Sequence, residues 1–139
     1  MRIYFDENFP SVFINGLKTI QDGRKDDDIE VCSIISEFGQ SAPDETWIPQ
    51  VALKHGVVIT HDKEIHRQRA QRELYESNKI GFFFMKTPKK TGLLYWDIVR
   101  LIIHCWPEIC EKAKQTKSPF AYTIDHSTKK INLLNRTIF

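Results

Sequence analysis

The chain has few cysteines, and they suggest no pairing. Cys32, Cys105 and Cys110 are odd in number and lack a CxxC spacing, so neither a disulfide framework nor a zinc site is indicated. No apolar run approaches the roughly 20 residues that cross a bilayer, and Met1 to Phe5 lead into acidic residues without the apolar core of a signal peptide. These absences predict reduced, buried thiols and a cytoplasmic protein.

The sequence also lacks internal repeats, low-complexity tracts and a recognisable linker. A length of 139 residues is too short for two ordinary domains. Hydrophobic residues make up 41% of the chain and aromatic residues 12%, which is enough for a real core and excludes wholesale disorder. The prediction is one domain that spans residues 1–139.

Net charge is small but unevenly distributed. The formal charge of +2 is too low to indicate nucleic-acid binding by itself. Residues 1–60 carry 5 basic and 10 acidic side chains (net −5), residues 61–90 carry 8 and 4 (net +4), and residues 91–139 carry 7 and 4 (net +3). This segregation favours an acidic site that faces a basic substrate-binding rim.

Hydrophobic periodicity alternates between short strands and helices. Strands are predicted at 2–5, 29–35, 57–60 and 81–85, helices at 10–21, 44–55, 64–77 and 92–115, and a terminal hairpin at 120–124 and 130–134. Pro107 is expected to kink or break the last helix. This order is typical of an α/β fold with a mostly parallel sheet.

Acidic residues follow two of the predicted strands and open one helix. Asp6 and Glu7 come after the first strand, Asp62 follows the strand that ends at Thr60, and Asp44 stands where a helix N-cap is expected. Ligands bind beyond the carboxyl ends of parallel strands. Carboxylates brought together there repel one another unless a cation is bound, and oxygen ligands favour Mg²⁺ or Mn²⁺.

Three segments in this order resemble a known family: Arg2–Pro10, Asp44–Ile48 and Val57–Lys63. Together they are similar to a compact PIN-like domain, of the reduced kind related to VapC-type toxins of bacterial toxin–antitoxin modules. The resemblance covers about residues 1–86, and the helix and β-hairpin of 92–139 extend beyond it. It implies a three-layer α/β/α fold with a mostly parallel central sheet. It also implies a metal-dependent ribonuclease with RNA, a cognate antitoxin and a second copy of the chain as candidate partners.

Catalytic roles follow from the resemblance residue by residue. It gives Asp6 and Asp62 the role of metal ligands, and Asp44 that of a direct or water-mediated ligand. Larger PIN domains carry a glutamate on a middle helix, for which this sequence leaves no room after its second strand. Glu7 or Glu45 is therefore the candidate to orient the attacking water.

Other residues are assigned supporting roles. Thr60 matches the hydroxyl residue that precedes the acid of the family motif, and Asn8 accompanies the first acid. A basic stretch after the second acid is the candidate surface for the RNA backbone, since phosphate contacts position a nucleic acid without reading its sequence. That surface comprises Lys63, Arg67, Arg69 and Arg72.

Two other functions stay open at this level. A PIN-like protein can bind RNA or a protein without cutting. A receiver-type signalling domain also places acids after its strands, and Lys86 after the fourth strand favours it, although Thr60 is poorly placed for it. Trp47, Trp96 and Trp106 fall on apolar helical faces and are predicted to be core residues, with base stacking as the less favoured interpretation.

Overall fold

A computed structural model describes residues 1–61, 65–86 and 93–134, with side chains left undescribed at 65–68. Its strands are β1 (Arg2–Phe5), β2 (Glu30–Ser33), β3 (Val57–Thr60), β4 (Gly81–Lys86), β5 (Ala121–Asp125) and β6 (Ile131–Leu133). Its helices are α1 (Ser11–Asp22), α2 (Ile34–Phe38), α3 (Asp44–Leu53), α4 (Ile65–Ser77) and α5 (Tyr95–Gln115).

All six strands form one sheet in the order β2-β1-β3-β4-β5-β6. The first five are parallel, and only β5 and β6 pair antiparallel. The predicted α/β fold with a mostly parallel sheet is confirmed, as is the terminal hairpin. Since β5 joins the sheet parallel to β4, the residues that follow α5 extend the same sheet as the N-terminal strands.

Strand residues alternate between two apolar layers. Phe5 and Ile59 pack with α1 and α5 in one core cluster, whereas Tyr4 and Val58 pack with α2, α3 and α4 in the other. Full burial of an apolar side chain of this size contributes about 1.5–3 kcal/mol. Because both faces of the central strands are covered, their residues are apolar in continuous runs, and three α/β/α layers result.

A short helix replaces the end of the predicted second strand. That strand stops at Ser33, and Ile34–Phe38 form α2. The Ser33 hydroxyl accepts a hydrogen bond from the backbone N–H of Ser36 at 3.3 Å, a cap that stabilises the first turn. Gly39 ends the helix with a φ of 90°, which few residues other than glycine adopt. Because residues 29–35 are rich in β-branched side chains, the sequence predicted a continuous strand there and not a helix that begins after Ser33.

The proline in the last helix does not break it. Helix α5 runs from Tyr95 to Gln115 through Pro107, so of the two outcomes expected at this proline, a kink or a break, the break is wrong. An interior proline costs about 3 kcal/mol. Buried apolar side chains on both sides of it, among them Ile102 and Ile109, together contribute more.

Two predictions about buried side chains are only partly right. Trp47 and Trp106 are in the core, but Trp96 is 63% exposed, so its assignment to the core is wrong. All three cysteines are free. Two of them are buried and Cys110 is partly exposed, and burial raises its pKa to about 12. No helix of the described ranges has the length and apolarity needed to cross a membrane.

Candidate active site

The centre of the candidate site is the carboxylate of Asp6, directly after β1. The backbone N–H of Asp6 donates to the carbonyl of Ile59 at 3.2 Å, which ties it to β3. One carboxylate oxygen accepts from the Thr60 hydroxyl at 2.6 Å and from the His61 N–H at 3.1 Å, and the other accepts from the Asn8 N–H at 3.1 Å. Three donors from two strand ends thus fix this side chain.

Burial governs the ionisation of Asp6. The residue is 4% exposed, and this burial raises its pKa to about 7, against the opposing effect of the hydrogen bonds from Thr60, His61 and Asn8. An aspartate with a pKa in this range exists as both acid and carboxylate at neutral pH. Such a shift is common where a carboxyl group is placed for chemistry.

Strand order explains why this position can bind a ligand. The chain runs from β1 to β2 on one side and then returns past β1 to β3 on the other. In open α/β sheets, ligands bind outside the carboxyl ends of the strands at such a reversal. Asp6 and Thr60 come from the two strands that border it.

Asp44 faces the same region from the first turn of α3. It is the first residue of that helix, and Pro43 is the N-cap without a side-chain bond, so the predicted N-cap role of Asp44 is wrong. Its carboxylate instead accepts from the indole N–H of Trp47 at 3.1 Å and from the side-chain amide of Gln71 at 3.3 Å. Gln71 Oε1 also lies 3.4 Å from the Thr60 hydroxyl.

Gln71 therefore links the two acids through Thr60, and sequence reasoning missed it. It is 3% exposed although it belongs to a strongly charged helix. A signal was present: Gln71 precedes Leu74 and Tyr75 by three and four positions, which places it on the inward face of α4. A buried amide on that face needs polar partners, and both are residues of the candidate site.

A small cavity lies between the side chains of Asp6, Asp44 and Gln71. It has a volume of about 10 Å³, roughly what one water molecule requires. Of the predicted water-orienting residues, Glu7 lines this cavity and Glu45 does not. Glu7 is also held in place, because it accepts a hydrogen bond from the Ser41 N–H at 3.1 Å. The lining comprises Asp6, Glu7, Asn8, Ile34, Gly39, Ala42, Asp44, Trp47 and Gln71.

A glutamate on a middle helix does exist, contrary to the expectation that the chain has no room for one. Glu37 lies on α2. Its carboxylate accepts from the Tyr4 hydroxyl and from the Lys54 ammonium, each at 3.1 Å. It is not among the cavity-lining residues. Its carboxylate therefore serves to connect α2 with β1 and the end of α3.

The remaining predicted residues are placed unevenly. Asp62 and Lys63 lie outside the described residues, as does the side chain of Arg67. Arg69 is exposed. The side chain of Arg72 is only 8% exposed and donates from Nε to Glu76 at 3.2 Å. Its guanidinium is thus held inside the protein in this structure and is not presented as a surface cation.

The oxygen atoms at this cavity are of the type that binds hard cations, but the described residues do not form a complete metal site. Asp6, Glu7 and Asp44 offer oxygen atoms around one cavity, the ligand type of Mg²⁺ and Mn²⁺. Within 1–61, 65–86 and 93–134, however, no group of three or more histidine, cysteine, aspartate or glutamate residues could hold a metal ion. A complete set would therefore require a ligand beyond those ranges, such as Asp62.

Comparison with family models decides the family. A model described as a PIN like domain matches residues 1–87, more than half of the 139 residues. The chain belongs to the PIN-like domain family. In this PIN-like domain the match begins at β1 and ends just after β4, so it contains every residue that lines the cavity. No match was found among curated proteins or among solved structures.

The family assignment also bears on the receiver interpretation. The order β2-β1-β3-β4-β5 is shared with flavodoxin-like signalling domains, so topology alone does not separate the two. Lys86, the residue that favoured a receiver, is exposed at the end of β4 and does not line the cavity with Asp6. The matched family therefore supports the PIN-like interpretation.

Proposed function

We propose that this PIN-like domain is a metal-dependent endoribonuclease that hydrolyses RNA phosphodiester bonds. One observation carries the proposal: Asp6, Glu7 and Asp44 line one cavity at the carboxyl edge of the sheet, in a chain of a family with a nuclease-type fold. The motif resemblance to VapC-type toxins extends the proposal to the toxin of a toxin–antitoxin module. A cytoplasmic antitoxin protein would then be its partner.

Mg²⁺ or Mn²⁺ is the proposed cofactor, held by Asp6 and Asp44 together with Asp62. Burial raises the pKa of Asp6 to about 7, and a cation bound beside this carboxyl group would favour its ionised form. When bound, such an ion lowers the pKa of a water molecule and stabilises charge on the phosphodiester. The protein supplies the positions: Thr60 and the Asn8 N–H hold Asp6.

Glu7 is the proposed residue that orients the attacking water. It lines the cavity with Asp6, whereas Glu45 is exposed and outside it. The Ser41 N–H bond to one carboxylate oxygen limits the orientations of Glu7. The Glu7 carboxylate would hold the water in line with the phosphorus atom, which is the positioning that hydrolysis requires.

For the RNA backbone we propose Lys63, Arg67 and Arg69. Arg69 is exposed on α4, the helix whose Gln71 lines the cavity. Exposed cations beside an acidic site attract the phosphates of a long substrate. We leave Arg72 out of this surface because its guanidinium is buried and bonded to Glu76.

A second candidate is a PIN-like module that binds RNA or a protein without cutting. The observation that favours it is the arrangement of the acids. All of the described acids at the cavity accept hydrogen bonds from the protein, and those of the described ranges form no group of three able to hold a metal ion. Such a module would retain RNA and release no products.

The test is RNA cleavage by the purified protein with Mg²⁺ or Mn²⁺. We expect cleavage that EDTA abolishes and that Asp6→Asn, Asp44→Asn and Asp62→Asn each remove. Asp26→Asn, an exposed acid beyond α1, is the matched control and should retain activity. Cleavage that survives both EDTA and Asp62→Asn contradicts the proposal. RNA retained on a filter without products identifies the binding module instead.

The water-orienting role has a paired test. Orienting and activating a nucleophile by a side chain contributes about 10²–10⁴-fold to rate. Glu7→Gln should lower the rate by such a factor, and Glu45→Gln should have the smaller effect of the two. A larger loss in Glu45→Gln would reverse the assignment. Circular dichroism melting of both variants checks that they are folded.

A further inference from the structure

The start of α5 places aromatic side chains at the same edge of the sheet as Asp6. Strands β1, β3 and β4 are parallel, so all three end at this edge. The chain leaves β4 after Lys86, and α5 begins at Tyr95 and leads back to β5, which is again parallel to β4. A helix that connects parallel strands starts at their carboxyl edge. The first turn of α5 therefore lies on the side of the candidate active site.

This first turn is unusually apolar for a surface. Leu94 is 70%, Tyr95 41% and Trp96 63% exposed, whereas Trp47 and Trp106 are 2% and 6% exposed. The rings of Tyr95 and Trp96 pack edge to face with centroids 5.3 Å apart. Neighbouring exposed apolar side chains are typical of a binding site. The edge-to-face contact leaves a large part of the indole open to a planar ligand.

Positive charge accompanies these rings. Arg100 follows Trp96 by four residues, so the two share one face of α5, and its side chain is 68% exposed. Its contact with Asp97 at 3.4 Å is an exposed ion pair, a type that contributes little and can rearrange. Lys86 is exposed where β4 ends. Aromatic faces for bases and nearby cations for phosphates are the combination that single-stranded nucleic acids bind.

We propose that Trp96, supported by Tyr95, stacks on an unpaired base of single-stranded RNA whose backbone contacts Lys86 and Arg100. The inference rests on the proposed function in taking RNA as the ligand, and it adds a base-stacking contact on α5, which lies outside the residues of the family match. Base-paired RNA keeps its bases stacked inside the helix and is bound mainly by shape and backbone. Trp96 therefore selects single strands and orients them at the edge where Asp6 lies.

The test measures binding in EDTA, so that cleavage plays no part. The probe is a fluorescein-labelled RNA of about 12 nucleotides, within the range of single-strand site sizes, used alone and annealed to its complement. Stacking of one base contributes enough that Trp96→Ala should weaken single-strand binding at least about fivefold. Trp96→Phe should retain most of the affinity. Leu53→Ala is the matched control, because Leu53 is 75% exposed at the far end of α3.

Every outcome decides the proposal. Preference for the single strand that is lost in Trp96→Ala and kept in Trp96→Phe supports it. Equal binding of both RNAs, no binding by the wild type, or unchanged affinity in Trp96→Ala overturns it. Loss of self-association in Trp96→Ala with RNA binding unchanged assigns this surface to a second copy of the chain instead. Trp96-dependent binding without any cleavage refutes the nuclease and leaves this inference standing.

Discussion

The hydrogen bond from Thr60 to Asp6 makes a quantitative prediction. The Thr60 hydroxyl lies 2.6 Å from the Asp6 carboxylate, and both residues are buried. Thr60→Val keeps the shape of the side chain and removes only the donor. Because this bond lowers the pKa of Asp6 against the effect of burial, we expect the pKa of Asp6 to rise in the variant.

The size of the rise follows from hydrogen-bond energies. A bond to a charged group contributes about 1.5–3 kcal/mol and one between neutral groups about 0.5–1.5 kcal/mol. The difference is about 1 kcal/mol, which corresponds to roughly one pKa unit. The pKa of Asp6 should therefore rise by about this amount above its wild-type value of about 7. By linkage, Thr60→Val should cost about 1 kcal/mol more at pH 9, where Asp6 is ionised, than at pH 5.

The assay is a carbon-13 NMR titration of the Asp6 carboxyl group, with urea unfolding at both pH values. Thr123→Val is the matched control, since Thr123 is also a buried threonine on a strand, and its hydroxyl donates to the Asn132 carbonyl at 3.4 Å. The control should leave the pKa of Asp6 unchanged. An unchanged or lowered pKa of Asp6 in Thr60→Val would refute the reasoning.

Three further predictions concern stability. The folded-state pKa of Asp6 is raised from 3.8 to about 7. The contribution of Asp6 to the free energy of unfolding is therefore complete below about pH 4 and is lost as pH rises through 7. Urea unfolding across this range should show the stability decline, and Asp6→Asn should make the decline smaller. A Cβ at Gly56 would lie 2.8 Å from the Tyr4 ring, so Gly56→Ala should destabilise by about 1–3 kcal/mol. Gly16→Ala, with open space inside α1, should instead stabilise by about 0.5–1 kcal/mol; equal effects in thermal melts would contradict both expectations.

Local patterns predicted the central strands well because these strands are runs of consecutive buried residues. Val57–Thr60 are apolar or β-branched and buried on both faces, so neighbouring residues alone identify the strand. Helix α2 was not predicted because five residues are too few to show a helical period. Its Ser33 cap also follows a β-branched run that is equally typical of a strand.

Errors at single side chains had a different cause. Periodicity places Trp96 on the same apolar stripe as its helix neighbours, but whether another element covers that position depends on the packing of α5 against the sheet. Arg72 belongs to a charged helix that looks uniformly solvated, yet it is buried and bonded to Glu76. The Arg72–Glu76 ion pair is local to α4, but the burial of Arg72, like the exposure of Trp96, depends on which side of the helix other elements cover, and periodicity does not report this.

The sequence by itself determined the alternation of strands and helices, the mostly parallel sheet and the positions of Asp6 and Asp44 at element ends. These depend on local propensity and on the rule that parallel strands end at one edge. Only the tertiary structure decided that Gln71 joins Thr60 to Asp44, that Glu7 and not Glu45 lines the cavity, and that burial raises the pKa of Asp6. The burial and hydrogen bonds that produce these features involve residues far apart in the chain, so a local sequence pattern does not predict them.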